Sequence, residues 1–179
     1  MSDRRDVVRN RKAIWQAYLD AAEEKPHGKV TVKDIITRAD VSRGTFYAYY
    51  KSAEDLRSQI IHEFLQMMLE LNRFSIITLT RAPYECTLNI LRSFAKNKRM
   101  VNDLTANGSD LSLFEEWRNS MYKLILKNEE AGEKDEMQVR AFCLSSLITD
   151  NCRETACGHK RISVEKRASV VSEFISAEK

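Results

Sequence analysis

Glycine and proline are scarce, since the 179 residues include only 5 glycines and 2 prolines. Sandwiches and barrels need many tight turns, which these two residues favour, so an all-β fold is excluded. The chain also lacks a run of about 18 apolar residues, which excludes a transmembrane helix. Disorder is excluded because 43% of the residues are hydrophobic and the formal net charge is only +3. We therefore expect an all-α globular chain.

Cysteine is also scarce, and the four cysteines at positions 86, 143, 152 and 157 are scattered. Their number and spacing do not predict a disulfide scaffold, so we expect reduced thiols. The first six residues, Met1 to Asp6, are charged and are not followed by the apolar segment of a secretion signal. These features predict a cytoplasmic protein with no membrane partner.

Catalytic motifs are missing, because the sequence contains no GxSxG, P-loop or GxGxxG pattern. The three histidines, His27, His62 and His159, are far apart along the chain. Cys152, Cys157 and His159 lie close together, but they lack a paired Cys-x-x-Cys and a second histidine. Buried or incidental cysteines explain this group better than a metal or redox site. We expect no enzyme, no metal and no cofactor.

The positive charge is concentrated at the start of the chain. Residues 1–51 contain 11 Lys and Arg against 7 Asp and Glu, whereas residues 52–179 contain 18 against 19. A basic segment on a neutral remainder predicts contact with a polyanion, although a solvated surface is the alternative. The same two interpretations, a phosphate-binding arm or a solvated tail, apply to five early residues: Arg4, Arg5, Arg9, Arg11 and Lys12.

Apolar spacing, caps and breakers predict eight or nine helices in two domains, residues 1–51 and residues 52–179. Breaks are predicted at residues 26–28 and 107–109. Ser42, Ser52 and Ser163 are predicted N-caps, as is Thr31 paired with Asp34. The predicted helices cover about Val8–Glu24, Val32–Ala39, Ser42–Tyr49, Ser52–Asn72, Pro83–Asn97, a segment ending near Asn128, Glu133–Ala156 and Ser163–Ala177.

Three short helices before a long one, with a tight turn at Asp40, are typical of a helix-turn-helix domain. Residues 35–56, IITRADVSRGTFYAYYKSAEDL, resemble the DNA-binding signature of the TetR family of bacterial transcription regulators. The usual form of that signature is I-A-x-x-A-G-V-S-x-G-T-L-Y-x-H-F-x-S-K-E-x-L. The resemblance covers about residues 8–60, and it implies a three-helix, homeodomain-like head followed by a helical bundle.

The resemblance also implies which side chains contact DNA. Arginine can bond guanine O6 and N7 bidentately, and the threonine methyl can meet a thymine methyl. Tyrosine and lysine would reach phosphates and set the register. The implied DNA-binding residues are Arg43, Gly44 and Thr45 at the bases, Lys33, Tyr47, Tyr49 and Lys51 at the phosphates, and Ser42 at the start of the recognition helix. Tyr18, Phe46 and Tyr50 are expected in the core.

Two positions depart from the family pattern. Asp40 stands where the turn usually has glycine, and aspartate tolerates left-handed backbone better than most residues. Ala53 stands where the fourth helix usually begins with lysine. The second departure removes one phosphate contact. It therefore predicts that log K for DNA binding falls less steeply with log salt concentration, by about one unit of slope.

The resemblance further implies an effector pocket in the middle helices and a dimer interface in the last two. Aromatic and methionine side chains suit an adaptable pocket, and they suit an ordinary core equally well. The pocket candidates are Phe94, Met100, Leu104, Phe114, Trp117 and Met121. The candidates for the dimer interface are Phe142, Leu147, Val171 and Phe174.

Together these features predict a homodimeric regulator that binds double-stranded DNA at a palindromic operator. By resemblance, a repressor released by a small-molecule effector is the expected form. Two alternatives remain: a helical protein-interaction module, or a TetR-like activator or co-regulator that takes no small-molecule ligand.

Overall fold

A computed structural model describes residues 4–25, 29–106, 110–128, 133–158 and 162–177, with the backbone alone for residues 4 and 5. The described residues form helices and no strands, which confirms the predicted all-α class. No helix in these ranges is long and apolar enough to span a membrane. The helices are α1 (Arg4–Glu24), α2 (Val32–Ala39), α3 (Arg43–Tyr47), α4 (Ala53–Ile77), α5 (Pro83–Lys96), α6 (Lys98–Thr105), α7 (Ser112–Asn128), α8 (Lys134–Cys157) and α9 (Val164–Ser176).

Hydrogen bonds at helix starts confirm the predicted caps of the long elements. The Ser52 hydroxyl accepts from the Asp55 amide at 3.1 Å and begins α4. The Ser163 hydroxyl accepts from the Lys166 amide at 3.2 Å and begins α9. Pro83 occupies the first turn of α5, where its missing N–H has no cost. The predicted breaks at residues 26–28 and 107–109 lie outside the described residues. The same is true of His27 and His159.

Three predicted boundaries were wrong, and one helix was missed. Helix α1 begins four residues earlier than expected, and α3 ends at Tyr47 because residues 48 and 49 form a turn. Helix α4 continues to Ile77, because Ser75 and Ile76 bury another turn before the chain reverses. Helix α6 was not predicted at all. It is only eight residues long and follows α5 after the single residue Asn97, with no glycine or proline to mark a boundary between the two helices.

The helices pack around one continuous set of buried apolar side chains, which extends from Ile14 in α1 to Ile175 in α9. Helices α1 to α3, up to residue 51, are called the head, and α4 to α9 are called the body. In the body, α5 packs on α9 and α8, α7 packs on α8, and α4 packs on both α5 and α7. Head and body meet where α1 contacts α4 and α6. The division into domains at residue 51 stays a prediction.

Arg57 is a buried cation that ties the start of α4 to α6 and α7. Its side chain is 10% exposed, and its guanidinium donates twice to the Leu104 carbonyl, at 2.6 and 3.1 Å. It also donates to the Asp110 carboxylate at 2.7 Å and to the Ser112 hydroxyl at 3.3 Å. A planar guanidinium satisfies three acceptors at once, which lysine cannot do with the same geometry. This network fixes the α6–α7 connection against the helix that leaves the head.

We predict that Arg57→Met lowers the free energy of unfolding by about 3 kcal/mol, because it leaves a partly buried carboxylate without its guanidinium. Urea denaturation followed by circular dichroism measures the loss. Arg92→Met is the matched control, since Arg92 pairs with Glu165 between side chains that are 56% and 54% exposed. That change is expected to cost less than about 1 kcal/mol. Equal losses in the two variants would contradict the role assigned to Arg57.

Candidate nucleic-acid interface

Helix α2 begins with a complete capping box. The Thr31 hydroxyl accepts from the Asp34 amide at 3.2 Å, and the Asp34 carboxylate accepts from the Thr31 amide at 2.9 Å. Lys25 lies 2.7 Å from the same carboxylate. The Lys25 ammonium and the Thr31 bonds hold the pKa of Asp34 well below its usual range. The predicted cap is confirmed, and Lys33 projects from this first turn into solvent.

The turn between α2 and α3 depends on Asp40. Its φ of 51° and ψ of 49° place it in the left-handed region, and its amide donates to the Ile36 carbonyl. The Val41 amide donates to the same carbonyl at 3.2 Å. The expectation that aspartate can replace glycine here is confirmed. The turn brings α3 across α2 in the helix-turn-helix arrangement.

The Ser42 side chain holds the start of α3. Its hydroxyl accepts from the Thr45 amide at 3.0 Å and lies 2.8 Å from the Thr45 hydroxyl. The predicted N-cap is confirmed. With both hydroxyls paired to each other, the methyl group is the part of Thr45 left for an apolar contact.

Aromatic side chains anchor the far end of α3. Phe46 and Tyr50 are 0% and 1% exposed, and their ring centroids lie 5.7 Å apart. The Tyr50 hydroxyl accepts from the Trp15 indole N–H at 2.8 Å and from Arg11 Nε at 3.5 Å. The core positions of Phe46, Tyr50 and Tyr18 are confirmed, and burial raises the pKa of Tyr18 to about 12. The sequence patterns did not predict the hydrogen bond from Trp15 to Tyr50. The position of Trp15 beside the apolar stripe of α1 was the only feature of the sequence that pointed to it.

The residues proposed to contact DNA surround the start and outer side of α3. Gly44 and Arg43 are exposed at the start of the helix, and Tyr47 is 50% exposed one turn later. Thr45 and Tyr49 are half-buried. The set is completed by three exposed residues: Lys33, Ser42 and Lys51. Packing therefore leaves this surface open to a large partner.

The electrostatics of the head favour the same surface. Several of its cations are neutralised by carboxylates, in the pairs Arg38–Glu24, Lys25–Asp34 and Arg11–Glu63. Lys33 and Arg43 make no ion pair with any residue that the structure describes. Unneutralised positive charge therefore lies at the starts of α2 and α3, where a phosphate backbone would gain most from it.

Ala53, the second departure from the family pattern, is half-buried at the start of α4. The neighbouring backbone is held without a lysine at this position, since the Lys51 amide donates to the Asp55 carboxylate at 2.8 Å. That bond and the Gln59 amide lower the pKa of Asp55. Alanine keeps the helix start and removes only the charge.

Residues 19–60 match the family model of bacterial regulatory proteins of the tetR family. The head carries the N-terminal domain of the TetR family. The match begins within α1, covers α2, the turn and α3, and ends in the first part of α4. It confirms the resemblance drawn from residues 35–56 and identifies the head as the DNA-binding domain of this family.

A curated relative supports the same family. The chain is 36% identical over 90 residues to the uncharacterized HTH-type transcriptional regulator YxbF of Bacillus subtilis (strain 168). The aligned segment covers 48% of this chain, and it spans about a fifth (21%) of the length of that relative.

Two solved structures share the fold over nearly the whole chain. A TetR transcriptional regulator from Streptococcus agalactiae 2603V is 21% identical, with a TM-score of 0.67 and 96% of each chain covered. The dihydroxyacetone kinase operon activator DhaS is 17% identical, with a TM-score of 0.66 and coverage of 94% of this chain and 95% of DhaS. At these identities the likeness shows the fold alone.

The predicted pocket residues lie in the core of the body. Phe94 and Trp117 are fully buried and meet edge to face, with ring centroids 5.2 Å apart. Leu104 and Met121 are also fully buried, and Phe114 is 4% exposed. Met100 is half-buried. Their role in binding an effector stays a prediction.

The predicted dimer residues differ in their exposure to solvent. Phe142 and Phe174 are 56% and 65% exposed on α8 and α9. Leu147 is half-buried. Val171 is 4% exposed and packs in the protomer's own core, because its side of α9 faces α5; its neighbour Val170 is 39% exposed.

Of the predicted group of Cys152, Cys157 and His159, only the two cysteines lie within the described residues. Cys152 is buried and Cys157 is half-buried, and burial raises the pKa of both thiols. No group of three or more His, Cys, Asp and Glu side chains is arranged to hold a metal among the described residues.

Gly44 has no structural need to be glycine, since a Cβ there would meet only the Ser42 hydroxyl, at 3.7 Å. We predict that Gly44→Ala raises the free energy of unfolding by about 0.5–1 kcal/mol, because alanine is the better helix former. Gly158→Ala is the control, since its Cβ would overlap the backbone carbonyl of Glu154. Thermal unfolding should show Gly44→Ala at or above wild type and Gly158→Ala below it. A destabilised Gly44→Ala protein would mean that the fold itself requires this glycine.

Proposed function

We propose that the chain is a homodimeric transcriptional regulator that binds a palindromic DNA operator through α2, the turn at Asp40 and α3. The observation that carries this proposal is the exposed surface of α3, whose arginine has no carboxylate partner among the described residues. A small-molecule effector bound in the body changes the affinity of the dimer for DNA.

The first turn of α3 recognises the bases in this proposal. Arg43 reads a guanine in the major groove, and the Thr45 methyl contacts a thymine methyl. Gly44 lets the start of α3 approach the base pairs, a role consistent with the open space around it. Ser42 acts through its cap, which orients the first turn of α3.

Phosphate contacts come from residues on both sides of α3. Tyr47 is the last residue of α3, and Lys51 lies four residues further along the chain. Lys33 lies at the start of α2. These residues set the register of the head on the duplex and supply affinity that falls with salt. Tyr49 is half-buried, so its hydroxyl is the part that reaches the phosphate backbone of the DNA.

Selection of bound sequences from a random DNA pool, at stated salt, tests the proposal. We expect an enriched palindrome with half-sites about one helical turn apart, roughly 34–36 Å. On that sequence Arg43→Ala should cost about 1–3 kcal/mol of binding free energy and should cost little on random DNA.

Arg38→Ala is the matched control, because Arg38 is exposed on α2 but is already paired with Glu24. Its affinity for the selected sequence should remain close to that of wild type. Equal losses of Arg43→Ala on selected and random DNA would rule out base recognition by this residue. No enrichment at all would favour the alternative of a protein-interaction module.

The dimer interface is proposed on α8 and α9. These helices and the residue Ile162 just before α9 expose large apolar side chains that a lone protomer leaves in water: Val139, Phe142, Ile162, Val170 and Phe174. A two-fold axis through this surface would pair α8 and α9 with their copies in a four-helix arrangement and would place two heads on one side of the duplex.

We predict that Phe174→Glu shifts the full-length protein toward monomer, because it places a charge in an apolar interface. Sedimentation velocity at several concentrations measures the change. Phe74→Glu is the matched control, since Phe74 is 75% exposed on α4, away from the proposed interface. A dimer lost in Phe74→Glu and kept in Phe174→Glu would move the interface to α4.

The effector is proposed to bind among α5, α7 and α8, next to Phe94 and Trp117. Two buried hydroxyls on these helices, Thr87 on α5 and Thr149 on α8, have no hydrogen-bond partner among the described residues. Burying such groups is costly unless a partner is present, so a ligand with a polar group would satisfy them.

The sign of regulation has two candidates. Repression relieved by the effector is the first, and it follows the resemblance to the TetR family. Activation is the second, and it is favoured by the likeness to DhaS, which is described as an operon activator. Transcription from a promoter that carries the selected sequence, with and without the protein, distinguishes them.

A further inference from the structure

An open groove lies along α1, which supplies six of its seven lining residues, and Glu63 in the middle of α4 supplies the seventh. Its volume is about 330 Å³. Small-molecule sites occupy roughly 300–1,000 Å³, so the groove is large enough for a compact ligand. It is separate from the proposed effector region, since none of its lining residues comes from α5, α7 or α8.

The floor and the rim of this groove have different chemistry. Val8, Trp15 and Leu19 supply apolar surface along one side of α1. Arg11 and Lys12 stand at the rim with Glu63 of α4, which gives the lining a net charge of +1. An apolar floor beside excess positive charge is complementary to a molecule with a hydrocarbon body and one negative head group.

The two cations are not equivalent. The Arg11 guanidinium is already engaged, 2.8 Å from the Glu63 carboxylate and 3.5 Å from the Tyr50 hydroxyl. Lys12 is exposed and makes no ion pair with any of the residues described. An incoming anion therefore meets Lys12 as an unneutralised partner, with Arg11 able to contribute from the same turn of α1.

We propose that this groove binds an amphipathic organic carboxylate. Its hydrocarbon body lies on Val8, Trp15 and Leu19, and Lys12 holds its carboxylate. A nucleic acid phosphate would use the lysine but not the apolar floor. The site is additional to the proposed function, and its occupancy is measured without DNA, so the failure of either proposal is distinguishable from the failure of the other.

Sodium octanoate, kept below its micelle-forming concentration, is the probe. Equilibrium dialysis against the full-length protein should show saturable binding with one site per protomer. Lys12→Gln should weaken this binding about tenfold, because a charge-assisted hydrogen bond is lost. Val8→Glu should abolish it, since the new carboxylate repels the probe. Both side chains are exposed, so the variants are expected to fold.

Two controls make the measurement specific. Lys33→Gln removes another exposed lysine of the head, outside the groove, and should leave octanoate binding unchanged. 1-Octanol, which has the same chain without the charge, should bind more weakly than octanoate. Equal effects of Lys12→Gln and Lys33→Gln would overturn the proposal, because the probe would then respond only to total charge.

Tryptophan fluorescence locates the bound probe. The chain has two tryptophans, Trp15 in the groove and Trp117 in the core of the body. Octanoate should change the emission of wild type, and Trp15→Phe should remove that change. A change that persists in Trp15→Phe places the probe near Trp117 and overturns the proposal. No binding by dialysis, with Lys12→Gln weakening DNA affinity, would assign Lys12 to phosphate contact and would also overturn it.

Discussion

Helix α3 is too short to be stable by itself, so it depends on contacts with the rest of the head. Helix α3 has five residues, whereas isolated helices need about 12–15 even when alanine-rich. Its beginning is held by the Ser42 cap and its end by the buried rings of Phe46 and Tyr50. The Trp15 bond to Tyr50 extends this support to α1. The orientation of the exposed surface is therefore set by one N-cap hydroxyl and by aromatic side chains packed inside the head.

Charge pairing makes that surface chemically distinct. Ion pairs neutralise Lys25, Arg38 and Arg11 on the supporting sides of the head. Lys33 and Arg43 keep their full charge within the described part of the chain, so a field that attracts DNA originates at the starts of α2 and α3. A net charge of +3 over the whole chain conceals this local arrangement. Lys12 on α1 is also without an ion pair in the described part of the chain, so Lys33 and Arg43 belong to a wider positive surface of the head.

Head and body are joined by packing and by one buried cation. Arg57 lies just after the cap of α4 and binds the Leu104 carbonyl and the Asp110 carboxylate. A displacement of α6 or α7 would therefore act on the same helix that contacts α1. The sequence did contain a signal for this residue, because a charged side chain at a core position of α4 requires a buried partner. Its partner could not be identified, since Asp110 is 53 residues away.

The sequence by itself determined the local features. Hydroxyl and carboxylate side chains at fixed offsets specify caps at Thr31, Ser42 and Ser52, and these interactions span only three or four residues. The signature in residues 35–56 likewise identified the family and the turn at Asp40. Tertiary structure alone decided the burial of Val171 beside an exposed Val170, and which cations are paired. Those outcomes depend on residues distant in sequence, whose approach is set by packing and leaves no periodic trace along the chain.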